Sequence, residues 1–407
     1  MNNSCRSCGN NELHLVLPLG NTPLANSLLT AEQLKEAEPT YPLNLVFCPK
    51  CTLVQIRENV PPDRLFRDYL YFSSFSDTMV QHARALVNRL IPTRKLDSQS
   101  LVMEVASNDG YLLQFYKQAG IEVLGIDPAL NVAKVAQERG IPTLTEFFGE
   151  SLAHQLLEEG KRADIIHANN VLAHVPDLNG FVEGLHLLLK EDGIAVIETP
   201  YVGEMIEHRE FDTIYHEHLC YYSVTALDHL FGQHGLVIQE IEQLTIHGGT
   251  LRLFVGQASS VQRGSSVQHL LDQEITKGIT SFQFYQDFAE KVTNLKEELR
   301  SLLGNLKEQG KQIVAYGAAA KGSTLLNYFG IGLETLNFVV DRSTYKQGHF
   351  MPGVHLPIYS PAKLLEVRPD YVLLLTWNFA DEIIEQQAEY RRDGGHFIVP
   401  IPELKVV

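Results

Sequence analysis

The sequence has little positive charge and no long apolar run. Lysine and arginine together number 33 against 49 aspartates and glutamates, which gives a net charge of −16. Because nucleic-acid binding depends on a basic surface, this balance argues against a nucleic-acid partner. No run of about 18 apolar residues is present, so we expect no membrane span. The N-terminus lacks the basic and apolar regions of a signal peptide, and we expect a cytoplasmic protein.

Cysteine is also scarce, and its distribution is uneven. Four of the five cysteines form two Cys-x-x-Cys pairs, Cys5 with Cys8 and Cys48 with Cys51. Each pair has the spacing of a zinc knuckle, and two pairs complete a tetrahedral site of the structural kind. The alternative is two independent redox or packing pairs. We therefore predict a zinc-binding domain over residues 1–75, with a loop beginning at Leu17 and an alternating strand over 41–47.

The segment from Leu101 to Asp127 has the order of a nucleotide-binding unit, in which a strand, a small-residue turn and a helix precede a second strand ending in an acid. The turn, Ala106 to Gly110, has one glycine and is a poor pyrophosphate cradle, so it favours a ligand without phosphates, such as S-adenosylmethionine. An ordinary βαβ unit is the alternative. We predict a methyltransferase domain over residues 76–258. The residues predicted to bind the cofactor are Glu104, Ala106, Asn108, Gly110, Asp127, Asn169 and Asn170.

The stretch from Phe211 to Ser223 combines imidazoles, a carboxylate and phenols within a few residues. These side chains are the usual general acids and bases. The predicted catalytic residues are Tyr215, His216, Glu217 and His218. One alternative is a polar surface turn, and another makes the two histidines a metal pair.

Residues 259–407 show the pattern of a second, smaller Rossmann-like domain. The turn Gly317-Ala-Ala-Ala-Lys-Gly322 follows an apolar strand and opens a helix, where backbone amides favour an anion such as a diphosphate. A nicotinamide site and a fold without a ligand are the alternatives. The whole chain is thus predicted to be an α/β protein with an N-terminal zinc-binding domain and two Rossmann-like domains, and we expect a monomer.

Four features together resemble a known family: the paired cysteines, Glu104-Val-Ala-Ser-Asn-Asp-Gly110, Tyr215-His-Glu-His218 and His247-Gly-Gly-Thr-Leu-Arg252. The sequence is similar, over essentially its whole length, to the sugar C-methyltransferases. These enzymes use S-adenosylmethionine to methylate C3 of nucleotide-linked 4-keto-6-deoxysugars. One departure is Ala106, where the family pattern usually has glycine.

The resemblance implies a role for each group of residues. His218 would be the base that removes the C3 proton, Glu217 and Tyr215 would orient the sugar or stabilise the enolate, and His216 could share that role. The C-terminal domain would hold the nucleotide-diphosphate sugar, and zinc would be structural. The residues expected to bind substrate are Tyr71, Ser73, Glu198, His247, Lys321, Gly322, Ser323, Asp341 and Asn378. Tyr71 and Ser73 are expected on the residue pattern around them, as part of a flap over the substrate, and a linker packed on the next domain is the alternative. Two rival functions remain open: an O- or N-methyltransferase acting on another small molecule, and a zinc-containing nucleotide-binding protein without turnover.

Overall fold

Three β-sheets organise the described part of the chain. The computed structural model describes residues 4–58, 60–61, 65, 72–244 and 249–407. Two residues expected to bind substrate, Tyr71 and His247, lie outside this part. Two of the sheets each lie within one predicted segment, whereas the N-terminal sheet also takes one strand from the central segment. The α/β fold class is confirmed.

The N-terminal sheet is antiparallel and has four strands, one of which comes from the distant stretch from Phe211 to Ser223, called here the catalytic stretch after the residues predicted in it. Its order is β1 (His14–Thr22), β2 (Tyr41–Phe47), β3 (Val54–Ile56) and β9 (Cys220–Tyr221). The strand over 41–47 is confirmed, but the loop predicted from Leu17 onward is wrong as far as Thr22, because β1 continues to that residue. The register shift between Pro18 and Asn21 explains the error, since an irregular edge strand tolerates a proline that a central strand excludes.

The central sheet has seven strands in the order β10-β11-β8-β7-β4-β5-β6. The strands from β4 to β8 pair in parallel, whereas β10 and β11 pair antiparallel at one side. Consequently the carboxyl ends of β4, β5, β7 and β8 meet along one edge, where ligands bind in open α/β sheets. The strands are β4 (Leu101–Val105), β5 (Glu122–Ile126), β6 (Thr143–Leu144), β7 (Ala163–Asn169), β8 (Leu189–Pro200), β10 (Leu236–Leu244) and β11 (Thr250–Gln257).

The α-helices of this segment lie between the strands in sequence. They are α1 (Asp77–Thr93), α2 (Leu113–Gln118), α3 (Leu130–Glu138), α4 (Glu150–Glu158), α5 (Leu178–Leu188), α6 (Val202–Glu207) and α7 (Val224–Gln233). Three short 3₁₀ turns contain or adjoin residues of the candidate active site. They span Ser73–Phe75, Leu172–His174 and Phe211–Thr213. Among the described residues, every helix falls short of the length or the apolar character that crossing a membrane requires.

Two helices connect the central sheet to the C-terminal one: α8 (Ser265–Lys277) and α9 (Phe282–Glu308). The first packs against the central segment, where its buried Glu274 binds the start of α7. The second packs its aromatic side chains on the zinc-binding segment, and the rings of Tyr285 and Phe47 lie 4.8 Å apart. The predicted boundary at residue 258 remains a prediction, and the helix that follows it is packed against the central segment.

The C-terminal sheet has six strands in the order β14-β13-β12-β15-β16-β17, all parallel except the last pair. The strands are β12 (Ile313–Tyr316), β13 (Val339–Val340), β14 (Ile358–Tyr359), β15 (Tyr371–Leu374), β16 (His396–Val399) and β17 (Lys405–Val406). The helices are α10 (Ala320–Phe329), α11 (Lys363–Val367), α12 (Ala380–Gln386) and α13 (Ala388–Arg392), and a 3₁₀ turn spans Trp377–Phe379.

Candidate active site

The stretch from Phe211 to Ser223 lies where the three segments meet. At its beginning, Phe211 stacks on Phe329 of α10 with ring centroids 4.8 Å apart. The neighbouring Asp212 carboxylate accepts a 2.7 Å hydrogen bond from Trp377 Nε1. At its end, Cys220 and Tyr221 pair with β3 of the N-terminal sheet. The stretch is therefore held by the C-terminal segment at one end and by the zinc-binding segment at the other.

His218 is held in one tautomer by two neighbours in the same stretch. Its Nδ1 lies 2.9 Å from the carbonyl oxygen of Thr213, so Nδ1 carries the proton and donates. Its Nε2 lies 3.0 Å from the Tyr215 hydroxyl and accepts from it. Burial, together with the charges of His174 and Lys321, lowers the pKa of His218 to about 3. The imidazole is therefore neutral near pH 7, with the lone pair of Nε2 directed at Tyr215.

His174 joins this group from the loop that follows β7. Its ring lies edge-on to that of His218, with centroids 4.9 Å apart. Its Nδ1 lies 2.7 Å from the backbone oxygen of Glu217, and burial lowers its pKa to about 4. Sequence reasoning did not select this residue. The available signal was its position five residues after Asn169, because loops at the carboxyl ends of parallel strands carry ligand-binding groups.

Glu217 and His216 face the zinc-binding segment. Glu217 Oε1 accepts a 2.7 Å hydrogen bond from Asn26 Nδ2, and burial raises the pKa of this carboxyl. His216 is 1% exposed, and its Nε2 lies 3.0 Å from the backbone oxygen of Pro42. The structure thus brings the side chains of Tyr215 and His218 together with His174, which also contacts the Glu217 backbone. The side chains of Glu217 and His216 contact the zinc-binding segment.

The residues predicted to bind the cofactor converge at the edge formed by β4, β5 and β7. Asp127 accepts hydrogen bonds from the backbone nitrogens of Asn108, at 2.8 Å, and Ala129, at 2.9 Å. The turn between β4 and α2 is left-handed at Ala106, Asn108 and Gly110, with φ of 55°, 51° and 77°. Asn170, just after β7, has φ of 55°. These backbone conformations bring the turn and the strand ends close together.

The chemistry of this edge fits a cationic ligand. Glu104 is 1% exposed, and its Oε2 has no hydrogen-bond partner among the described residues. Burial raises the pKa of Glu104, and the nearby carboxylates of Asp127 and Asp109 raise it further. Asn169 Oδ1 is likewise buried and without a described partner. Buried acceptors left unpaired are unfavourable, so a ligand carrying positive charge and N–H donors would complete this site.

Ser73 contacts the turn between β4 and α2, called here the cofactor turn, and its expected role in substrate binding remains a prediction. Its backbone nitrogen donates to Asn108 Oδ1 at 2.9 Å, and the adjacent Ser74 hydroxyl donates to Asp109. Arg139 forms a 3.1 Å ion pair with the same Asp109 carboxylate. The 3₁₀ turn at Ser73–Phe75 is thus hydrogen-bonded to the cofactor turn through Ser73 and Ser74.

Glu198, another residue expected to bind substrate, lies in a buried ion pair. Its carboxylate lies 2.7 Å from the guanidinium of Arg252 and 2.9 Å from His82 Nε2. Burial acts to raise the pKa of Glu198, but these two neighbours outweigh burial and lower it. The structure therefore assigns this carboxylate protein partners, and its role in substrate binding remains a prediction.

In the C-terminal sheet, Asp341 repeats the hydrogen-bond pattern of Asp127. It accepts from the backbone nitrogens of Ala318 and Ser343, both at 2.8 Å. Gly322 allows close packing, since a Cβ there would lie 2.8 Å from the Cβ of Leu375. The buried Ser323 hydroxyl has no described hydrogen-bond partner. Asn378 is exposed in the 3₁₀ turn after β15.

Lys321 lies close to the catalytic stretch. Its ammonium is 3.6 Å from Glu210 Oε2 and 4.6 Å from the ring centroid of Trp377. The charge of Lys321 counteracts burial, which raises the pKa of both Glu210 and Asp212. The prediction that Lys321 binds a diphosphate remains a prediction, and in the structure its ammonium lies beside buried carboxylates at the meeting of two segments.

The four paired cysteines form a cluster that fits a metal ion. Their sulfur atoms all lie within 4.8 Å of one another, with 3.4 Å between Cys5 and Cys51 and 3.6 Å between Cys8 and Cys48. Sulfurs of a tetrahedral zinc site, each about 2.3 Å from the metal, are about 3.8 Å apart. Four thiolates leave no open coordination position, so such a zinc ion is structural, as the sequence predicts.

Three family models match the chain in succession. They are a zinc binding domain over residues 5–66, a methyltransferase domain over residues 77–241, and the C-methyltransferase C-terminal domain over residues 245–402. C-methyltransferase NovU from Streptomyces niveus is 36% identical over 99% of this chain and 96% of its own length.

Other relatives match a smaller part of the chain. Ubiquinone biosynthesis O-methyltransferase from Methylobacterium nodulans is 30% identical over 29% of this chain and 46% of its own length. A crystal structure of magnesium protoporphyrin IX methyltransferase from Synechocystis, with bound S-adenosylmethionine, covers 44% of this chain and 79% of that one. Its identity is 17% and its TM-score 0.34, values that carry no inference about this chain.

Proposed function

Because the chain belongs to the C-methyltransferase family, we propose that it methylates C3 of a nucleotide-linked 4-keto-6-deoxysugar. The enzyme class, the zinc-binding domain and S-adenosylmethionine as methyl donor agree with the sequence-based predictions. The observation that carries the proposal is the meeting of His218, Tyr215 and His174 at the junction of the three segments. Carbon methylation requires a base at that position, because a carbon beside a ketone becomes nucleophilic only after losing a proton.

His218 is the proposed base. Its Nδ1–H is fixed by the Thr213 carbonyl, so Nε2 is the atom that receives the proton from C3. The lowered pKa keeps this nitrogen unprotonated near pH 7. When the enolate forms beside the His218 ring, its negative charge stabilises the imidazolium. Burial strengthens the attraction between these two charges.

Tyr215 is the proposed donor to the enolate oxygen. Its hydroxyl donates to His218 Nε2 in this structure. A substrate that presents its C–H bond to Nε2 takes this place, and the hydroxyl is then available for the enolate oxygen. Glu217 would orient a sugar hydroxyl through its carboxylate. Lys321 adds positive potential on the same side.

The cofactor edge would hold S-adenosylmethionine by contacts that the chain already provides. The buried Glu104 carboxylate suits the positive methionine part, and Asp127, anchored by two backbone nitrogens, suits ribose hydroxyls. When bound, S-adenosylmethionine supplies an electrophilic methyl group, which the enolate carbon takes while the sulfonium becomes a neutral thioether. The chain's part is to align the two ligands, a contribution that can reach several orders of magnitude in rate.

The test uses the zinc-loaded enzyme with S-adenosylmethionine and a panel of 4-keto-6-deoxysugar nucleotides, with mass spectrometry and NMR of the products. We expect a mass gain of one methyl group located on C3. For His218→Ala we expect turnover to fall by about 10²–10⁴-fold, the usual contribution of a general base, together with loss of C3 proton exchange in deuterated water. His154→Ala, at an exposed site on α4, is the matched control.

The outcomes separate the parts of the proposal. A ketone activates both of its neighbouring carbons, so a methyl group on C5 would overturn the C3 assignment while keeping the base. Turnover of His218→Ala near the wild-type rate would show that another group removes the proton. Methylation of oxygen or nitrogen, without C–H exchange, would favour the rival methyltransferase function.

A further inference from the structure

We propose that Asn26, in the zinc-binding segment, is a positioning residue for methyl transfer. It fixes one oxygen of the Glu217 carboxylate, so that the other oxygen faces the substrate and accepts a hydrogen bond from it. This inference rests on the proposed function, since it assigns Glu217 a substrate contact. It also gives the zinc-binding segment a direct part in the active site.

The contact between the two side chains is short and joins distant parts of the chain. Asn26 Nδ2 lies 2.7 Å from Glu217 Oε1, a length typical of a hydrogen bond to an ionised acceptor. The backbone oxygen of Glu217 is held at the same time by His174 Nδ1, also at 2.7 Å. Two segments therefore fix Glu217, one through its backbone and one through its carboxylate.

The loop that carries Asn26 is itself fixed from two sides. Within it, the backbone nitrogen of Leu28 donates to the Asn26 carbonyl at 2.9 Å. Directly beyond it, Leu29 exchanges two backbone hydrogen bonds with Phe350 of the C-terminal segment, at 3.0 and 2.8 Å. A loop tied in this way holds its asparagine in a defined place, which a positioning role requires.

The charges around Glu217 make the amide donor important. Burial raises the pKa of this carboxyl, and the hydrogen bond from Asn26 acts in the opposite direction. The neighbouring His174 and His218 supply no compensating positive charge near pH 7, because burial lowers their pKa values to about 4 and about 3. The N–H group of Asn26 is thus what favours the ionised, purely accepting form of Glu217.

With Oε1 bonded to Asn26, the other carboxylate oxygen is the acceptor that the proposal assigns to the substrate. The substrate group at Glu217 is therefore a hydroxyl or an amino group on the sugar ring, near the carbon that loses its proton. The inference narrows the substrate to sugars that keep such a donor beside the ketone. Sugars without it leave this carboxylate oxygen without that partner, and should react more slowly.

The test compares Asn26→Asp and Asn26→Ala with wild type by kcat/KM as a function of pH. Asparagine and aspartate have the same shape, but aspartate lacks the N–H donor. We expect kcat/KM at pH 7 to fall by about 10-fold for Asn26→Ala, as for loss of a hydrogen bond to a charged group, and further for Asn26→Asp.

The direction in which the pH profile of kcat/KM shifts distinguishes a positioning role from a structural one. Loss of a donor to the carboxylate raises the pKa of Glu217, so the acidic limb of the profile moves to higher pH, by about one unit. Asn26→Ala should therefore recover part of its activity as the pH rises. A purely structural defect would lower the whole profile without moving its limb.

Two controls keep the result interpretable. Asn21→Ala changes an exposed asparagine on β1 and should leave the profile unchanged. Zinc content and the unfolding midpoint should remain at wild-type values, because Asn26 is itself exposed.

Glu217→Gln distinguishes failure of this inference from failure of the proposed function. If Glu217→Gln is impaired and Asn26→Ala has no further effect in that background, the two residues act as one unit. If Glu217→Gln is fully active, the substrate contact proposed for Glu217 is wrong. If Glu217→Gln is impaired while Asn26→Asp matches wild type, Asn26 has no positioning role.

Discussion

At the scale of single residues, the turn that follows β4 is notable for its left-handed backbone. Ala106 has φ of 55°, a conformation in which its Cβ crowds the backbone, at about 1–2 kcal/mol for residues other than glycine. The family pattern usually has glycine here, and the structure gives the physical reason. The alanine keeps the conformation because Ala106 and Ser107 both donate to the Ile126 carbonyl, at 2.8 and 3.3 Å.

Ala106→Gly is therefore expected to stabilise the folded protein. Relief of the crowding outweighs the greater freedom of glycine in the unfolded chain, which amounts to about 0.4–1 kcal/mol. The free energy of unfolding, measured by urea denaturation, should rise by about 0.5–1 kcal/mol. As a control, Ala153→Gly inside α4 should lower it by about 1 kcal/mol, because an ordinary helical position gains nothing from glycine. A lower free energy of unfolding for Ala106→Gly would contradict this account.

At the scale of elements, α7 begins directly after the catalytic stretch and is fixed from outside. The Glu274 carboxylate of α8 accepts from the backbone nitrogens of Val224, at 2.6 Å, and Thr225, at 2.8 Å. It also accepts from the Thr225 hydroxyl at 2.6 Å, and Ser223 caps the helix through its own hydroxyl. A carboxylate at a helix N-terminus accepts hydrogen bonds from the free N–H groups and interacts favourably with the positive end of the helix dipole.

Glu274→Ala is expected to destabilise the protein by about 2–4 kcal/mol, since it leaves buried N–H groups without acceptors. The midpoint of urea or thermal unfolding measures this effect. Glu297→Ala, at an exposed position on α9, should change stability by no more than about 0.5 kcal/mol. Equal midpoints for the two variants would show that Glu274 does not hold α7 in place.

At the scale of the whole molecule, the zinc-binding segment is joined to the other two at several points. Arg6, between two of the cysteines, donates to the carbonyl oxygens of Glu58 and Pro176. Asn179 of α5 donates to the carbonyl oxygens of Arg6 and Ser7, at 3.0 and 3.1 Å. The metal cluster therefore organises the backbone that supports the loop carrying His174.

Removal of zinc is expected to reduce turnover while binding of S-adenosylmethionine persists. Cys8→Ala is expected to lower the zinc content well below that of wild type, to reduce turnover and to lower the unfolding midpoint, because folding and metal binding are coupled in such sites. Binding of S-adenosylmethionine, measured by calorimetry, should persist, since its predicted residues belong to the central sheet. Cys220→Ala, outside the cluster, should retain the zinc ion. Full turnover by a zinc-free enzyme would contradict this prediction.

Much of the architecture follows from local patterns. The spacing of the cysteines predicts the metal cluster, and the strand-turn-helix order around Glu104 and Asp127 predicts the cofactor edge, because both depend on residues close in sequence. The edge strand β1 was missed, since its bulge tolerates a proline that local reasoning takes as a loop signal. Domain boundaries, oligomeric state and location in the cell remain predictions.

The contacts between segments could not be predicted, because they join residues far apart in the sequence. The partner of Glu217 is Asn26, 191 residues away, and the carboxylate of Glu198 is ion-paired with Arg252 and lies 2.9 Å from His82 Nε2. The orientations of His216 and Lys321 likewise depend on which segment packs beside them. A residue type indicates what a side chain can do, whereas its partners decide what it does.

The sequence alone determined the α/β class, the cysteine cluster and the membership in the C-methyltransferases, because each is recorded in short motifs, and it predicts the cofactor edge in the same way. Only the tertiary structure decided which residues of the catalytic stretch face one another. In the tertiary structure His174 lies beside His218, and His216 contacts the backbone oxygen of Pro42. Asn26 of the zinc-binding segment binds Glu217. The physical reason is that packing of the three segments, and the burial it causes, sets both the geometry and the pKa of these groups.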